Sequence, residues 1–490
     1  MSKLSSLYSG VAWGGVSKFI VILFQLIFMA IMARLLDPED FGLVAIANVC
    51  LRFFSYFSQM GIAPAVIQKK TLDDNDIRAA FSLSLGVSVF FFLLVILMAD
   101  LVEAFFDITS LAIVMQALAF NFLLIGFSSV SLGLMQRTMD FKALAIIEII
   151  SYVGGYGIIG LSFAFNGFGV WSLVAAIITQ TFLTAALGYS FVQHSLVLKH
   201  PKENRKHFIS YGGRYSINGF VEFLTSSIDA LIIGKFMGAT FAGYYNRALL
   251  LANLPVQHPV NILTKALFPI MGGISDQYDK QSTSVQLSIL AVGCYAFSVS
   301  AGIYIAAPEI VGLLLGDKWL EAIPILRVLA WSIGPLYISH VISVTFDSLG
   351  ALSLKFRIQL TALIILVGLM FLAVPAGQVQ YIAMAVVITE WVRLFLMSTA
   401  IIRFLKIKKM DIFTIFCSII IVTITTVTCI ISFESIIQVN YLIIHLIVQA
   451  VGGLFGVFLG FLLIRYIICS NSAVIYLSGR LPIVKKLLPK

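Results

Sequence analysis

The chain has 490 residues, of which 60% are hydrophobic and only 11% are charged. Soluble domains carry roughly a quarter charged residues, so this composition excludes a soluble enzyme or binding module and indicates a protein that crosses a membrane many times. The net charge of +9 comes largely from short basic loops between apolar stretches. No motif typical of nucleic-acid binding accompanies these loops, and we expect no nucleic-acid partner.

Apolar stretches of about 20 residues, the length that crosses a bilayer, recur along the whole chain. The predicted spans lie near residues 12–34, 41–66, 79–99, 111–135, 143–165, 168–192, 211–235, 241–271, 285–315, 322–348, 356–376, 379–404, 412–432 and 440–468. The first continues past Arg34 without a small-residue cleavage site, so we expect it to remain as a helix. The sequence therefore predicts an all-α polytopic membrane protein with about 14 transmembrane helices.

The basic residues predict which loops face the cytoplasm. With a cytoplasmic N-terminus, 23 of the 32 Lys and Arg residues fall in inner loops and tails, and only three (Arg34, Lys235 and Lys318) fall in outer loops. Basic loops resist translocation across the membrane. We therefore expect both termini in the cytoplasm.

A weak internal repeat relates the two sides of the inner connection near residues 193–210. Ser9 and Gly10 begin the first span and Arg34 ends it, as Ser210 and Tyr211-Gly212-Gly213 begin the seventh and Lys235 ends it. Ser210 follows Ser9, and Lys235 follows Arg34, by 201 residues. The outer turn DPEDFGLVA (37–45) matches GATFAGYYN (238–246) at the same offset, and MQALAF resembles LRVLAW in the fourth and tenth spans. Two lobes of six helices in one orientation are typical of transporters that rock two bundles about a central cavity. The expected division is 1–200, 201–405 and, for two further C-terminal helices, 406–490.

Several segments resemble one transporter family along essentially the whole chain. They are SGVAWGGVSKFIVILFQLIFMAIMARLLDPEDFGLVAIANV, FFSYFSQMGIAPAVIQKK, GLMQRTMDFKALA, FNGFGVWSLV, IGKFMGATFAGYYNRA and LFPIMGGISD. They resemble the polysaccharide-transporter branch of the multidrug/oligosaccharidyl-lipid/polysaccharide exporter superfamily, most of all its colanic-acid exporter type. The RLLDPEDFG turn and MGIAPAVIQ are the more specific parts of this resemblance.

The resemblance implies a fold and an activity in a bacterial inner membrane. The fold is two six-helix lobes around a central cavity, and the activity is movement of an undecaprenyl-diphosphate-linked oligosaccharide from the cytoplasmic to the outer leaflet. The implied partners are this substrate and the bilayer, with the polysaccharide polymerase machinery left open. A functional monomer is expected, because the repeat supplies both lobes. The resemblance carries no catalytic motif, and we expect neither an enzyme nor a cofactor.

Charged side chains inside the spans are the candidates for the transport site, because such residues usually face the bundle interior. The acids are Glu148, Glu222, Asp229, Asp347 and Glu390, and the bases are Lys18, Arg52, Arg247, Lys265, Arg327 and Arg393. A diphosphate requires cations, and arginine binds phosphate oxygens in a bidentate manner. The predicted substrate-binding residues are Arg52, Arg247, Lys265 and Lys18.

The intramembrane carboxylates suit a different task. In a partly dry cavity their protonation would release an ion pair and change which lobe arrangement is favoured. The predicted coupling residues are Glu222, Asp229, Glu390 and His258, with H+ or Na+ as the coupling ion. The simpler interpretation is that Asp229 with Arg247, and Glu390 with Arg393, are static pairs that fix helix packing.

Two further patterns have competing interpretations. Pro255 and Pro259 in the eighth span and Gly334-Pro335 in the tenth predict helix kinks of the kind that transporters tolerate at cavities. The run DDND at 73–76 resembles a metal or sugar-nucleotide motif, but it lies in a short inner loop and is expected to be a solvated run of charge.

Three other functions compete with the flippase. A drug or cation antiporter of the same superfamily would present a cavity of carboxylates and aromatic residues, whereas this chain places arginines and lysines in its spans. A peptidoglycan-precursor flippase shares the count of fourteen spans. A glycan polymerase or ligase would need a large outer loop, and the predicted outer loops are short.

Overall fold

The computed structural model describes residues 20–58, 66–67, 69, 72–198, 223–274, 277–437 and 442–468. The regular structure of these residues is entirely helical. The chain divides into two compact units, Met1–Asn246 and Arg247–Lys490. The predicted division at residues 200 and 405 follows the sequence repeat and stays a prediction.

Unit 1 contains eight helices and one π-helical segment in its described part. They are α1 (Ile20–Leu35), α2 (Pro38–Ser58), α3 (Asp74–Phe106), α4 (Leu111–Arg137), α5 (Phe141–Tyr152), the π segment (Val153–Gly160), α6 (Leu161–Phe165), α7 (Val170–Phe191) and α8 (residues 223–237). The next helix, α9 (Ala239–Gly273), begins in unit 1 and continues into unit 2.

Unit 2 continues with the helices that follow α9. They are α10 (Tyr278–Ile305), α11 (Ala307–Leu314), α12 (Ala322–Ser348), α13 (Leu352–Ala373), α14 (Val379–Phe404), α15 (Lys409–Ile436) and α16 (Leu442–Ile468), with short 3₁₀ turns at Asp317–Trp319 and Val374–Ala376. Within the described residues, ten helices are long and apolar enough to cross a membrane. The other four predicted spans overlap α1, α2, α8 and α9, so the count of fourteen stays a prediction.

Local chemistry explains where α3 begins and ends. Asp73 caps α3, since its side chain accepts the backbone N–H of Asp76 while the Asp76 side chain accepts the N–H of Asp73. This reciprocal arrangement satisfies donors that a helix start leaves free. At the other end, Asp107 adopts a left-handed conformation with φ of 58°, which terminates the helix before α4.

Two glycines allow α2 and α9 to cross with their backbones in contact. A Cβ atom added at Gly42 would overlap the carbonyl oxygen of Ala239, and one added at Gly243 would overlap the carbonyl oxygen of Pro38. Gly42 and Gly243 are related by the repeat offset of 201. The matched DPEDFG and GATFAG turns therefore share a structural requirement, which is the absence of a side chain at the crossing.

The two C-terminal helices form part of unit 2. Gly452, Gly456 and Gly460 lie one turn apart along α16 and leave room for the backbone of α15, as small residues do where membrane helices associate. The α15 helix also packs on α10, where the Ile419 side chain fills the space beside Gly293. The α16 helix also contacts α11 through His445, whose Nδ1 lies 3.1 Å from Glu309 Oε1.

Candidate functional site

Three of the four predicted substrate-binding cations lie in the described part of the chain, and Lys18 lies outside it. Arg52 is exposed on α2 in unit 1. Arg247 and Lys265 are both on α9 in unit 2, where Arg247 is half-buried and Lys265 is exposed. Their spacing of 18 residues separates their Cα atoms by about 27 Å along the helix. The structure therefore does not bring these two cations together at one point.

Asp229 is the best-defined of the predicted coupling residues. It is buried on α8, and its carboxylate accepts a 2.5 Å hydrogen bond from the hydroxyl of Tyr245 and a 2.8 Å hydrogen bond from the backbone N–H of Ala230. Tyr245 is itself almost fully buried. The sequence did not identify this tyrosine as a partner of Asp229. The expected pairing of Asp229 with Arg247 stays a prediction, because the two residues belong to different units.

The other predicted coupling residues are in unit 2, except that Glu222 lies outside the described residues. Glu390 forms the expected i, i+3 ion pair with Arg393, at 2.6 Å between Oε2 and Nη2. His258 is half-buried on α9. Asp347, another acid of the predicted spans, pairs with Lys355 at 2.7 Å across the turn after α12. The coupling role of Glu390 and His258 stays a prediction.

The prolines of α9 remove backbone donors, and a neighbouring helix replaces one of them. Pro259 has no N–H, so it cannot bond to the carbonyl of Pro255 four residues earlier. The hydroxyl of Tyr295 on α10 donates to that carbonyl at 2.8 Å. Elsewhere, α12 is joined to α9 by Tyr337, whose hydroxyl lies 3.1 Å from Asn253 Oδ1.

The proline of α12 is compensated in the same way. Pro335 frees the carbonyl of Trp331, four residues earlier, and the indole N–H of Trp391 on α14 donates to it at 3.2 Å. Phe297 on α10 occupies the space beside Gly334 and packs edge-on against Trp391, with ring centroids 5.8 Å apart. The proline sites predicted from the sequence are thus places where neighbouring helices contribute polar side chains.

The DDND run before α3 is not wholly solvated, so that expectation is wrong in part. Asp76 is buried and forms an ion pair with Lys69. Nearby, the Nη1 atom of Arg137 donates to the carbonyls of Val66 at 2.8 Å and Ile67 at 3.1 Å. The run caps α3 and binds Lys69 in the segment before it, and within the described residues it is not part of a group that could hold a metal ion.

Residues 192–198, after α7, pack on the helices of unit 1 through His194. The imidazole packs against the rings of Phe81 and Tyr189, with centroids 5.2 Å and 5.5 Å away. Burial lowers the pKa of His194 below its ordinary value of 6.5, partly offset by the hydrogen bond to the Ser195 carbonyl. Arg78 Nε also donates to Ser195 Oγ at 3.1 Å. Together these contacts hold the segment 192–198 in place.

Two motifs of the family resemblance meet at the other end of unit 1. The carboxylate of Asp40 in RLLDPEDFG accepts the backbone N–H of Asp37 at 3.1 Å and a backbone hydrogen bond from Val170 in FNGFGV. Asp40 Oδ1 also lies beside Gly169, whose φ of 53° favours glycine. The carboxylate therefore joins the start of α2 to the start of α7.

Among the described residues, no group of three or more His, Cys, Asp or Glu side chains is placed to hold a metal ion. The predicted site residues that the structure describes are cations, an ion pair and a buried carboxylate that accepts a hydrogen bond from a tyrosine. Together with the ten apolar helices of the described residues, this arrangement is that of an all-helical, multi-pass membrane protein.

The sequence places the chain in a family. The pattern of the polysaccharide biosynthesis protein family matches residues 31–324, more than half of the chain, and the chain belongs to this family. It is 24% identical over 336 residues, covering 67% of each protein, to the lipopolysaccharide biosynthesis protein WzxC of Escherichia coli strain K12. It is 25% identical over 338 residues to the teichuronic acid biosynthesis protein TuaB of Bacillus subtilis strain 168, covering 67% of this chain and 68% of that protein.

Solved structures share the fold at low sequence identity. The lipid II flippase MurJ in an inward closed conformation matches with a TM-score of 0.71 and 12% identity, covering 90% of this chain and 97% of that one. An inward-facing multidrug resistance transporter of the MATE family matches with a TM-score of 0.63 and 16% identity, covering 79% and 95%. The expected superfamily fold is confirmed, and the family is one of transporters and not of enzymes.

Proposed function

We propose that the protein moves an undecaprenyl-diphosphate-linked oligosaccharide from the cytoplasmic to the outer leaflet by alternating access, as a step in surface polysaccharide biosynthesis. The match to the polysaccharide biosynthesis protein family carries this proposal. The relatives named for lipopolysaccharide and teichuronic acid biosynthesis support it, as does the succinoglycan biosynthesis transport protein ExoT of Rhizobium meliloti strain 1021, 24% identical over 66% of each chain.

Exposed cations on apolar helices suit the headgroup of such a substrate. Arg52 and Lys265 are exposed although their helices are predicted spans. A cation at this depth is costly unless it meets water or an anion, and a diphosphate supplies the anion. Arg52 is the stronger candidate, because guanidinium binds phosphate oxygens through two parallel hydrogen bonds. Arg247, Lys265 and Lys18 would extend the path for the headgroup.

The driving force is proposed to be H+ or Na+. The carboxylate of Asp229 is buried, and its side-chain hydrogen-bond donor is a neutral tyrosine. This tyrosine supplies no positive charge to balance an ionised Asp229. A group of this kind changes the balance between two states when it gains or loses a cation. Glu222, Glu390 and His258 are the further candidates for this role.

The proposed setting is a bacterial inner membrane with both termini in the cytoplasm and the protein acting as a monomer. A multi-pass membrane protein is supported by the ten apolar helices of the described residues. The cytoplasmic termini follow from the predicted loop charges. The polymerase machinery that would receive the glycan is a further proposed partner.

The test is the pool of lipid-linked glycans, measured by mass spectrometry in cells that lack the protein and in cells carrying variants. Loss of the protein should cause a defined diphosphate-linked oligosaccharide to accumulate. Arg52→Ala should clear this pool about tenfold more slowly than wild type, because loss of a hydrogen bond to a charged group costs roughly 1.5–3 kcal/mol. Lys409→Ala is the matched control, because Lys409 is exposed at the start of α15 in a predicted inner loop.

The same strains separate the alternatives. An unchanged glycan pool combined with lost resistance to cationic compounds would replace the flippase by a drug or cation antiporter. Accumulation of the peptidoglycan precursor instead of a polysaccharide repeat unit would assign a peptidoglycan-precursor flippase. The coupling role is tested with Glu222→Gln and Asp229→Asn at normal protein level. If these carboxylates couple transport to an ion, clearance of the glycan pool in the variants should no longer depend on the proton or sodium gradient.

A further inference from the structure

The α12 helix is the most deeply buried of the ten apolar helices, with 72% of its most apolar stretch buried. One strip in its first half is exposed, and this strip consists of Arg327 and Trp331, one helical turn apart. The Trp331 side chain is 54% exposed. A helix so enclosed by protein therefore presents one arginine and one tryptophan at its surface.

A tyrosine from the preceding long helix completes this surface. Tyr304, near the end of α10, lies with its ring centroid 5.9 Å from that of Trp331 and its ring plane at 72° to the indole. The guanidinium carbon of Arg327 lies 5.8 Å from the centroid of the Tyr304 ring. The three side chains, which we name the Trp331 platform, form a continuous aromatic and cationic surface in unit 2.

A hydrogen bond from a neighbouring helix fixes the backbone of the platform at Trp331. The carbonyl of Trp331, which Pro335 leaves without its helical donor, accepts the indole N–H of Trp391. Hydrogen bonding of a freed carbonyl by a neighbouring helix fixes the local course of the backbone. The position of Trp331 relative to α14 is therefore defined, although its own indole is exposed.

Charge indicates what the platform can accept. Among the described residues, Arg327 contacts the face of Tyr304 and no carboxylate. Trp331 lies nine residues into α12, about 13 Å from its first residue, which is deeper than the headgroup level where aromatic belts lie. Arg327 lies one turn nearer the start of α12, and a cation on the surface of an apolar helix is costly unless it meets water or an anion.

We propose that the Trp331 platform binds one sugar ring of the transported oligosaccharide, with Arg327 holding an anionic group of the same molecule. The C–H groups of a pyranose form an apolar face that packs on the negative face of an aromatic ring. The anion is either a carboxylate on the glycan or the diphosphate that links it to the lipid. The inference rests on the proposed function and adds a recognition site for the glycan itself.

The test uses the lipid-linked oligosaccharide purified from cells that lack the protein, so that the ligand is the correct one. Calorimetry on the purified full chain compares this intact molecule with the free glycan released by mild acid and with undecaprenyl diphosphate alone. Trp331→Leu should weaken binding of the intact molecule and of the free glycan about tenfold, the effect of losing roughly 1.4 kcal/mol. It should leave undecaprenyl diphosphate unaffected.

Three variants separate recognition from folding. Trp331→Phe keeps an aromatic face and should retain binding within about threefold, roughly 0.6 kcal/mol. Trp171→Leu removes another exposed tryptophan, in unit 1, and should have no effect. Arg327→Gln, at an exposed position, should weaken binding of the free glycan if the anion is a sugar carboxylate. It should weaken binding of undecaprenyl diphosphate if the anion is the diphosphate.

The outcomes that contradict the proposal are distinct from failure of the flippase function. If no lipid-linked glycan accumulates in the null strain, the flippase function fails, and the platform fails with it. If the glycan accumulates and both Trp331→Leu and Arg327→Gln bind every ligand as wild type does, the platform is overturned while the flippase stands. Equal loss in Trp331→Phe and Trp331→Leu would also overturn it, because the aromatic face would then not be what binds.

Discussion

Tyr295 supplies to α9 a hydrogen bond that the helix cannot make for itself. We expect Tyr295→Phe to destabilise the protein by about 1 kcal/mol, because the Pro255 carbonyl then loses its donor. In a Pro259→Ala background, the N–H of Ala at position 259 can donate to the same carbonyl. The Tyr295 hydroxyl should then contribute much less.

A double-mutant cycle on thermal unfolding measures this dependence. Tyr381→Phe is the matched control, since Tyr381 is an exposed tyrosine without a proline-freed carbonyl as its partner. A Tyr295→Phe effect of equal size in both backgrounds would show that the hydroxyl does not replace the missing backbone donor.

His194 makes the docking of residues 192–198 dependent on pH. Because burial lowers the pKa of His194, the docked segment binds a proton less readily than the undocked one. Docking is therefore fully stable above the ordinary pKa of about 6.5 and loses stability as the pH falls through and below that value. Hydrogen exchange of the amides in residues 192–198 should accelerate as the pH is lowered over this range, after correction for the intrinsic rate.

His194→Phe provides the control for this measurement. It preserves an aromatic ring between Phe81 and Tyr189 but cannot be protonated, so the corrected exchange should no longer depend on pH between 7 and the folded pKa. Persistence of the same pH dependence in His194→Phe would assign it to another group.

The residue-scale predictions succeeded where partners are close in the sequence. The Glu390–Arg393 pair follows from i, i+3 geometry on one helix and was predictable. Tyr295 is 40 residues from Pro255, so the sequence marks where a donor is missing but not which side chain replaces it. Lys18 and Glu222 lie outside the described residues and stay predictions.

Among the elements, the crossing of α2 and α9 depends most directly on sequence. Gly42→Ala and Gly243→Ala should each be severely destabilising, by several kcal/mol, because the new Cβ would overlap backbone atoms that cannot move independently of their helix. Gly86→Ala is the matched control, since a Cβ at Gly86 on α3 meets nothing within 4 Å. Replacement of a helical glycine by alanine at an open position should be neutral or stabilising by about 0.5–1 kcal/mol.

Thermal unfolding of the purified variants and their level in the membrane measure the difference. If Gly42→Ala and Gly86→Ala have the same stability, the backbone contact at the crossing is not required. The matched motifs in the sequence indicated that these turns are important. The backbone contact itself could not be predicted, because it depends on how α2 packs against α9.

Helix positions were predictable because apolar length is a strong signal, whereas polar details at helix ends were not. The interruption of α5 and α6 by the π segment has no signature in hydropathy. Its VGGYGIIG sequence contains four glycines, and Gly155 and Gly160 pack where α7 leaves no room for a side chain. Close helix contact of this kind depends on the partner helix and not on the segment alone.

For the molecule as a whole, the orientation in the membrane can be tested directly. Alkaline phosphatase fused after Lys318 should be active, because this residue lies in a predicted outer loop, and the enzyme folds only outside the cytoplasm. The same enzyme fused after Lys409 should be inactive, because the basic loop before α15 is expected to stay inside. The reverse pattern would invert the proposed topology and the direction of transport.

The overall architecture was predictable because composition and helix length define a polytopic protein, and because the motif resemblance selects one superfamily among such proteins. The binding surfaces were less predictable. Arg327, Trp331 and Tyr304 come together only through the packing of α10 on α12. Apolar helices limit the class of fold, but side-chain packing determines which polar residues share a surface.

The crossing of α2 and α9 also bears on the origin of the chain. In the symmetric contact of a homodimer, residue i of one copy meets residue j of the other, and j meets i. Gly42 meets Ala239 while Gly243 meets Pro38, and Ala239 follows Pro38 by the same 201 residues. This is the contact expected after duplication and fusion of an ancestor that paired with itself. After fusion the two copies could change independently. In the sequence repeat, Arg52 now corresponds to Asn253, and Phe28 corresponds to Asp229.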